Sequence, residues 1–132
     1  MKTSLFLAAV AVATLLAGLH YGLTVPNAVL WNSERVTLTA YNSTPRQTAG
    51  DPFVAAWGDR LEPGMMSVAV SRDLLALGLD HGTEIHIKGL GGPYLVLDKM
   101  HQRFERRVDV YFGLDVAAAR EFGRQEAVIY WR

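Results

Sequence analysis

Two aspartates stand in apolar, strand-like runs in the last third of the chain. Asp98 closes Tyr94-Leu95-Val96-Leu97-Asp98, and Asp109 sits inside Arg107-Val108-Asp109-Val110-Tyr111-Phe112. A carboxylate is unwelcome among leucines and valines, so each position asks for a reason. Side chains alternate across a strand, which predicts Leu95 and Leu97 on one face with Val96 and Asp98 on the other. The same rule sets Val108 and Val110 opposite Asp109 and Tyr111. Two carboxylates brought by neighbouring strands onto one surface make an acid site, because burial and a like charge both raise a carboxyl pKa. The competing reading is that each aspartate ends its strand and caps a turn.

The elements that would position this pair are short. Six runs of β type are marked, over 36–41, 67–70, 84–88, 93–98, 107–112 and 127–131. Val36-Thr37-Leu38-Thr39-Ala40 and Glu84-Ile85-His86-Ile87-Lys88 alternate apolar with polar residues, the mark of a half-buried strand. Gly89-Leu90-Gly91-Gly92-Pro93 separates the third run from the fourth, with glycines free to take positive φ. Ser71 is expected to cap a helix over 72–77 that stops at Gly78, and Asp115 one over 116–122 that stops at Gly123. The segment 42–65 reads as one long loop, and loops of that length in small domains carry function. Short strands with two helical turns fit a closed barrel, which leaves no edge to pair with other chains. The fold class expected is therefore mainly β.

Residues 5–19 form an apolar run behind Lys2, which fits a secretory signal peptide or a short signal anchor. An N-terminal hydrophobic helix is expected within 1–23, extended by a tether over 24–33, ahead of one domain over 34–132. Cleaved or kept as a membrane tether through 5–23, this leader is expected to export the remainder to the cell envelope. The chain has no cysteine, so it carries neither a lipid-attachment thiol nor a disulfide. Its 13 basic and 13 acidic residues balance, which argues against nucleic acid as a partner. His81, His86 and His101 each lack a second ligand at zinc spacing, so neither a metal nor any other cofactor is expected. No feature of the chain speaks to an oligomeric state.

An ordered set of short motifs carries a resemblance. Thr39-Ala40-Tyr41, Thr48-Ala49-Gly50-Asp51-Pro52 and Ala56-Trp57-Gly58 are followed by Ser67-Val68-Ala69-Val70, Gly82-Thr83, Leu97-Asp98 and Val108-Asp109-Val110-Tyr111-Phe112. Phe122-Gly123-Arg124 and Ala127-Val128-Ile129-Tyr130 complete it. Together they resemble the 3D domain, named for three aspartates. That family is a double-psi β-barrel related to the catalytic barrel of membrane-bound lytic transglycosylase A and, more distantly, to rare lipoprotein A-like and expansin-like barrels. The resemblance implies a six-stranded double-psi barrel with two short helices, and a peptidoglycan-active envelope protein.

The implied roles fall on particular positions. The catalytic acid of active members corresponds to Asp109, and the aspartate that opens their Asp-Thr-Gly-Gly element corresponds to Asp98. Thr39 and Tyr41 match the early groove element, with Tyr111 in the strand of the acid. The chain departs from the family where Ser71 replaces the first aspartate and where Lys99 to Arg107 replace a glycine-rich stretch. Within that stretch Arg103 and Arg106 are candidates to grip carboxylates of stem peptides, against a solvated charged loop as the plain alternative. Trp57 is a candidate to stack on a sugar ring. The resulting expectation is a lytic transglycosylase that cleaves glycan strands to 1,6-anhydromuramyl products. The alternative is a non-catalytic barrel that binds peptidoglycan or a partner near the membrane.

Overall fold

A computed structural model describes residues 30–45 and 50–132. The expected N-terminal helix and most of the tether lie outside the described residues, as do Thr48 and Ala49 of the second motif. The first strand, β1 (Asn32–Tyr41), begins two residues inside the segment read as a tether. The others are β2 (Ser67–Val70), β3 (Glu84–Ile87), β4 (Gly91–Lys99), β5 (Arg107–Tyr111) and β6 (Gln125–Trp131). They close into a six-stranded barrel in the order β1-β5-β2-β4-β3-β6, with β6 returning to pair β1. β1 runs parallel to β5 and β2 to β4, and the remaining neighbours are antiparallel. This mainly β, six-stranded closed architecture with two short helices is compatible with a double-psi barrel.

Alternation builds the interior. Val36, Leu38, Val68, Val70, Val96, Val108 and Val110 meet Ile85, Ile87, Ile129 and Trp131 in one buried cluster. The intervening residues of β1 and β5 therefore face outward, Thr37 and Thr39 from one strand, Asp109 and Tyr111 from the other. Gly92 shows why that position must lack a side chain. Its φ is +149°, and a Cβ there would stand 2.8 Å from the carbonyl oxygen of Ile85.

The two helical turns are α1 (Arg72–Leu77), which is 3-10 in form, and α2 (Val116–Phe122). Asp115 caps α2 as expected, its Oδ1 accepting from the Ala118 N–H at 2.9 Å. Ser71 does not cap α1. It is fully buried, and its Oγ accepts from the backbone N–H of Arg107 at 2.9 Å, while its own N–H donates to the Arg107 carbonyl. The serine thus fastens the end of β2 to the start of β5, where an unpaired N–H would be buried. Ser71→Ala is expected to lower stability by about 1–2 kcal/mol. Urea denaturation with an unchanged slope would check it.

The long loop after β1 folds back onto the outside of the barrel. Ala55 and Leu61 bury themselves with Leu97 and Tyr111 in a second cluster, against which Tyr41, Met65 and Leu95 pack. The Ser43 N–H donates to the Gly113 carbonyl, and the Asn42 side-chain amide donates to the same oxygen at 3.2 Å. Burial of these apolar side chains holds the loop down beside Asp98 and Asp109.

Candidate functional site

Strand register decides where the two carboxylates go. Ala69 in β2 is the neighbour of Asp109 in β5, and Asp109 in turn is the neighbour of Thr39 in β1. On the other side Val68 pairs with Val96, but Ala69 pairs with Asp98, so Leu97 has no partner in β2. Leu97 is the extra residue of a β-bulge, a feature that is rare in parallel pairs. It overturns the simple alternation expected for β4. Val96 enters the barrel, whereas Asp98 faces out with Ala69 rather than inward with Val96. The result is a row across four strands, Asp98–Ala69–Asp109–Thr39, with the small alanine leaving open space between the acids.

A groove of about 450 Å³ lies over this row. Tyr41, Asn42 and the loop residues Pro52, Val54 and Ala56 form one side, and Lys99 to His101, Arg103 and Phe104 form the other. Asp98 is held tightly at one oxygen, where Oδ1 accepts from the N–H groups of Ala56 at 2.8 Å and Lys99 at 2.9 Å. Its Oδ2 faces the Tyr41 hydroxyl at 3.4 Å. Among the described residues Asp109 has one side-chain partner, the Thr39 hydroxyl, which donates to Oδ1 at 2.9 Å.

These surroundings separate the two acids. Burial raises the Asp109 pKa to about 6, and the nearby Asp98 charge adds to that, while the Thr39 hydrogen bond and the Arg107 charge hold it back. Burial raises Asp98 as well, against the lowering effect of its two backbone donors and Tyr41. Asp98 therefore has the better-solvated anion, in the sense that protein N–H groups replace water around it. Tyr41 is driven upward by burial and by the charges of Asp98 and Asp109, so it keeps its proton and remains a donor. One carboxyl that can carry a proton thus faces a second that is organised as an acceptor.

The structure brings Thr39, Tyr41, Asp98, Asp109 and Arg103 together around the groove. It places the other sequence candidates elsewhere. Tyr111 is buried behind Tyr41, with ring centroids 5.3 Å apart and its hydroxyl 2.7 Å from the Ser43 Oγ. Trp57 flanks the groove without lining it; its ring lies 5.2 Å from His81, and the Lys99 ammonium sits 5.1 Å from it. Arg106 turns away to an ion pair with Glu34 and a hydrogen bond to the Arg35 carbonyl, while its backbone N–H donates to Asp73. Ser71 lies outside the groove, its hydroxyl engaged with the backbone N–H of Arg107.

Three contributors were not legible as site residues. Ala69 matters only through its pairing with both aspartates, and Ala56 only through its backbone N–H. Asn42 was visible merely as the first residue of a loop. Among the described residues no group of three potential ligands could hold a metal ion. No family model matches the chain, and comparison with curated proteins finds no match.

Proposed function

We propose that this chain is an envelope protein of the 3D-domain type, its barrel of the double-psi class, and that it cleaves peptidoglycan glycan strands without consuming water. The observation that carries the reading is the outward row of Asp98, Ala69 and Asp109 beneath an open groove, with burial favouring the protonated form of Asp109. Asp109 protonates the glycosidic oxygen as the C1–O bond breaks. Its carboxylate then takes the proton from the muramic acid C6 hydroxyl as that oxygen bonds to C1, and a 1,6-anhydro end results. The acid is regenerated, so a single titrating residue completes the cycle. Asp98 supplies negative charge that keeps the proton on Asp109 and favours the oxocarbenium-like transition state. Tyr41, through its retained hydroxyl proton, orients Asp98.

Because the reaction starts from protonated Asp109, cleavage should fall about tenfold per pH unit once pH exceeds the acid's pKa, which lies at about 6. A flat profile from pH 5 to about pH 8 would remove Asp109 as the acid. The direct test is mass spectrometry of the soluble products that the full chain releases from isolated sacculi. Anhydromuramyl ends support the reading, reducing ends indicate hydrolysis, and sacculus binding without fragments would leave a binding module. The last reading has one observation in its favour: Ser71 leaves the groove with two aspartates where the family has three.

A further inference from the structure

One wall of the groove carries the cations Lys99 and Arg103, and Arg107 stands beside it against the Phe104 ring. Lys99, Arg103 and Arg107 pair with no carboxylate among the described residues, whereas Arg60 meets Asp51 and Arg106 meets Glu34. The wall is also built rather than loose. The guanidinium carbons of Arg103 and Arg107 each lie 4.6 Å from the centroid of the Phe104 ring. Lys99 rests against Trp57, and the Arg103 N–H donates to His101 Nδ1 at 3.1 Å. Stacking on an aromatic ring restricts a guanidinium that would otherwise sample many rotamers, so less freedom is lost when it binds an anion. Arg107 is close enough to depress the Asp109 pKa but forms no ion pair with it. The cations therefore border the acids without neutralising them.

The hydroxyls of a sugar chain give such a wall nothing to neutralise. Carboxylates do, and peptidoglycan offers two kinds: those of the peptide side chains and, once peptides are removed, the lactyl group of muramic acid. We propose that Lys99, Arg103 and Arg107 form a subsite for the carboxylates of peptide side chains, so that the groove takes peptide-bearing glycan in preference to stripped strands; the proposal rests on the peptidoglycan reading above. It transfers the role expected of Arg106 to Arg107 and Lys99. A guanidinium fork matches a carboxylate with two parallel N–H donors, and Lys99 adds a point charge at the same rim.

The test is cosedimentation of the full chain, in the cold, with intact sacculi and with glycan stripped by an amidase. Wild type should hold the peptide-bearing form more tightly. Lys99→Gln/Arg103→Gln should weaken that binding about tenfold and leave stripped strands within about twofold. Added salt should reduce only the peptide-bearing affinity of wild type. Arg106→Gln, which touches the opposite ion pair, should change neither. Equal losses on both forms would mean that the cations contact the lactyl groups or the sugar, and would overturn the proposal. So would unchanged binding to both by the double variant. Wild type that binds both forms equally overturns this proposal alone, whereas wild type that binds neither overturns the peptidoglycan reading with it.

Discussion

Asp109→Asn is expected to abolish release of anhydromuramyl fragments, a loss of at least about a thousandfold, as befits removal of a general acid. The same substitution should stabilise the domain. Asparagine keeps an oxygen to accept the Thr39 hydrogen bond, so the local packing survives. What it removes is a half-buried group whose charged form the fold disfavours. The sign follows from proton linkage. A carboxyl with a folded pKa of about 6, above its usual value of 3.8, binds more protons in the native state. Native stability therefore declines as pH rises between those two values and stays lower above them. At about pH 7 the asparagine variant should be more stable by roughly 2–3 kcal/mol, and near pH 3 the difference should vanish. Thermal melts at the two pH values, beside a product assay, measure both halves. Lost activity together with a lower melting temperature at neutral pH would assign Asp109 a structural role. Full activity in the variant would end its role as the acid.

The second large effect lies in β4. Deleting Leu97 removes the bulge residue and leaves Val96 opposite Val68 and Asp98 opposite Ala69 in continuous register, so Asp98 still faces out. Withdrawing Leu97 from the cluster with Ala55, Leu61 and Tyr111, and shortening the strand beside it, should cost about 3–5 kcal/mol. The expected result is a thermal midpoint well below that of wild type. Leu97→Ala is the contrasting variant. It retains the extra residue and the length of the strand; it should lose about 2–3 kcal/mol and keep its cleavage specificity. If the deletion variant melted like wild type, the packing of Leu97 against Ala55, Leu61 and Tyr111 would contribute little to stability.

The bulge also marks the boundary between what could be read along the chain and what could not. Periodicity is a local property, and wherever pairing is regular it predicted facing correctly. Val36 and Leu38 enter the barrel while Thr39 faces out, and Val108 and Val110 enter while Asp109 and Tyr111 do not. The turn glycines behaved likewise, with positive φ at Gly89, Gly91 and Gly92. The Asp115 cap of α2 was legible because a cap bonds within three residues of its own helix. Ser71 looked the same locally, yet its hydroxyl found Arg107, 36 residues away. A cap signal says that a hydroxyl is available, and only the fold determines which N–H reaches it first.

Charge was the least legible property. Arg103, Arg106 and Arg107 lie within five residues, and composition cannot separate them. Arg106 takes a φ of +48° and turns to Glu34, while its neighbours stack on Phe104. Glu34 belongs to β1, so that choice was set by a strand distant in the chain.

By itself, then, the sequence determined that this is a small β domain closed around alternating valines and isoleucines, with two aspartates among its strands, because those are consequences of periodicity and of where a charge can be tolerated. Tertiary structure alone decided that the two aspartates share one groove. That depends on the order of strands around the barrel and on a single unpaired residue, Leu97, and both are set by pairing between segments far apart in sequence.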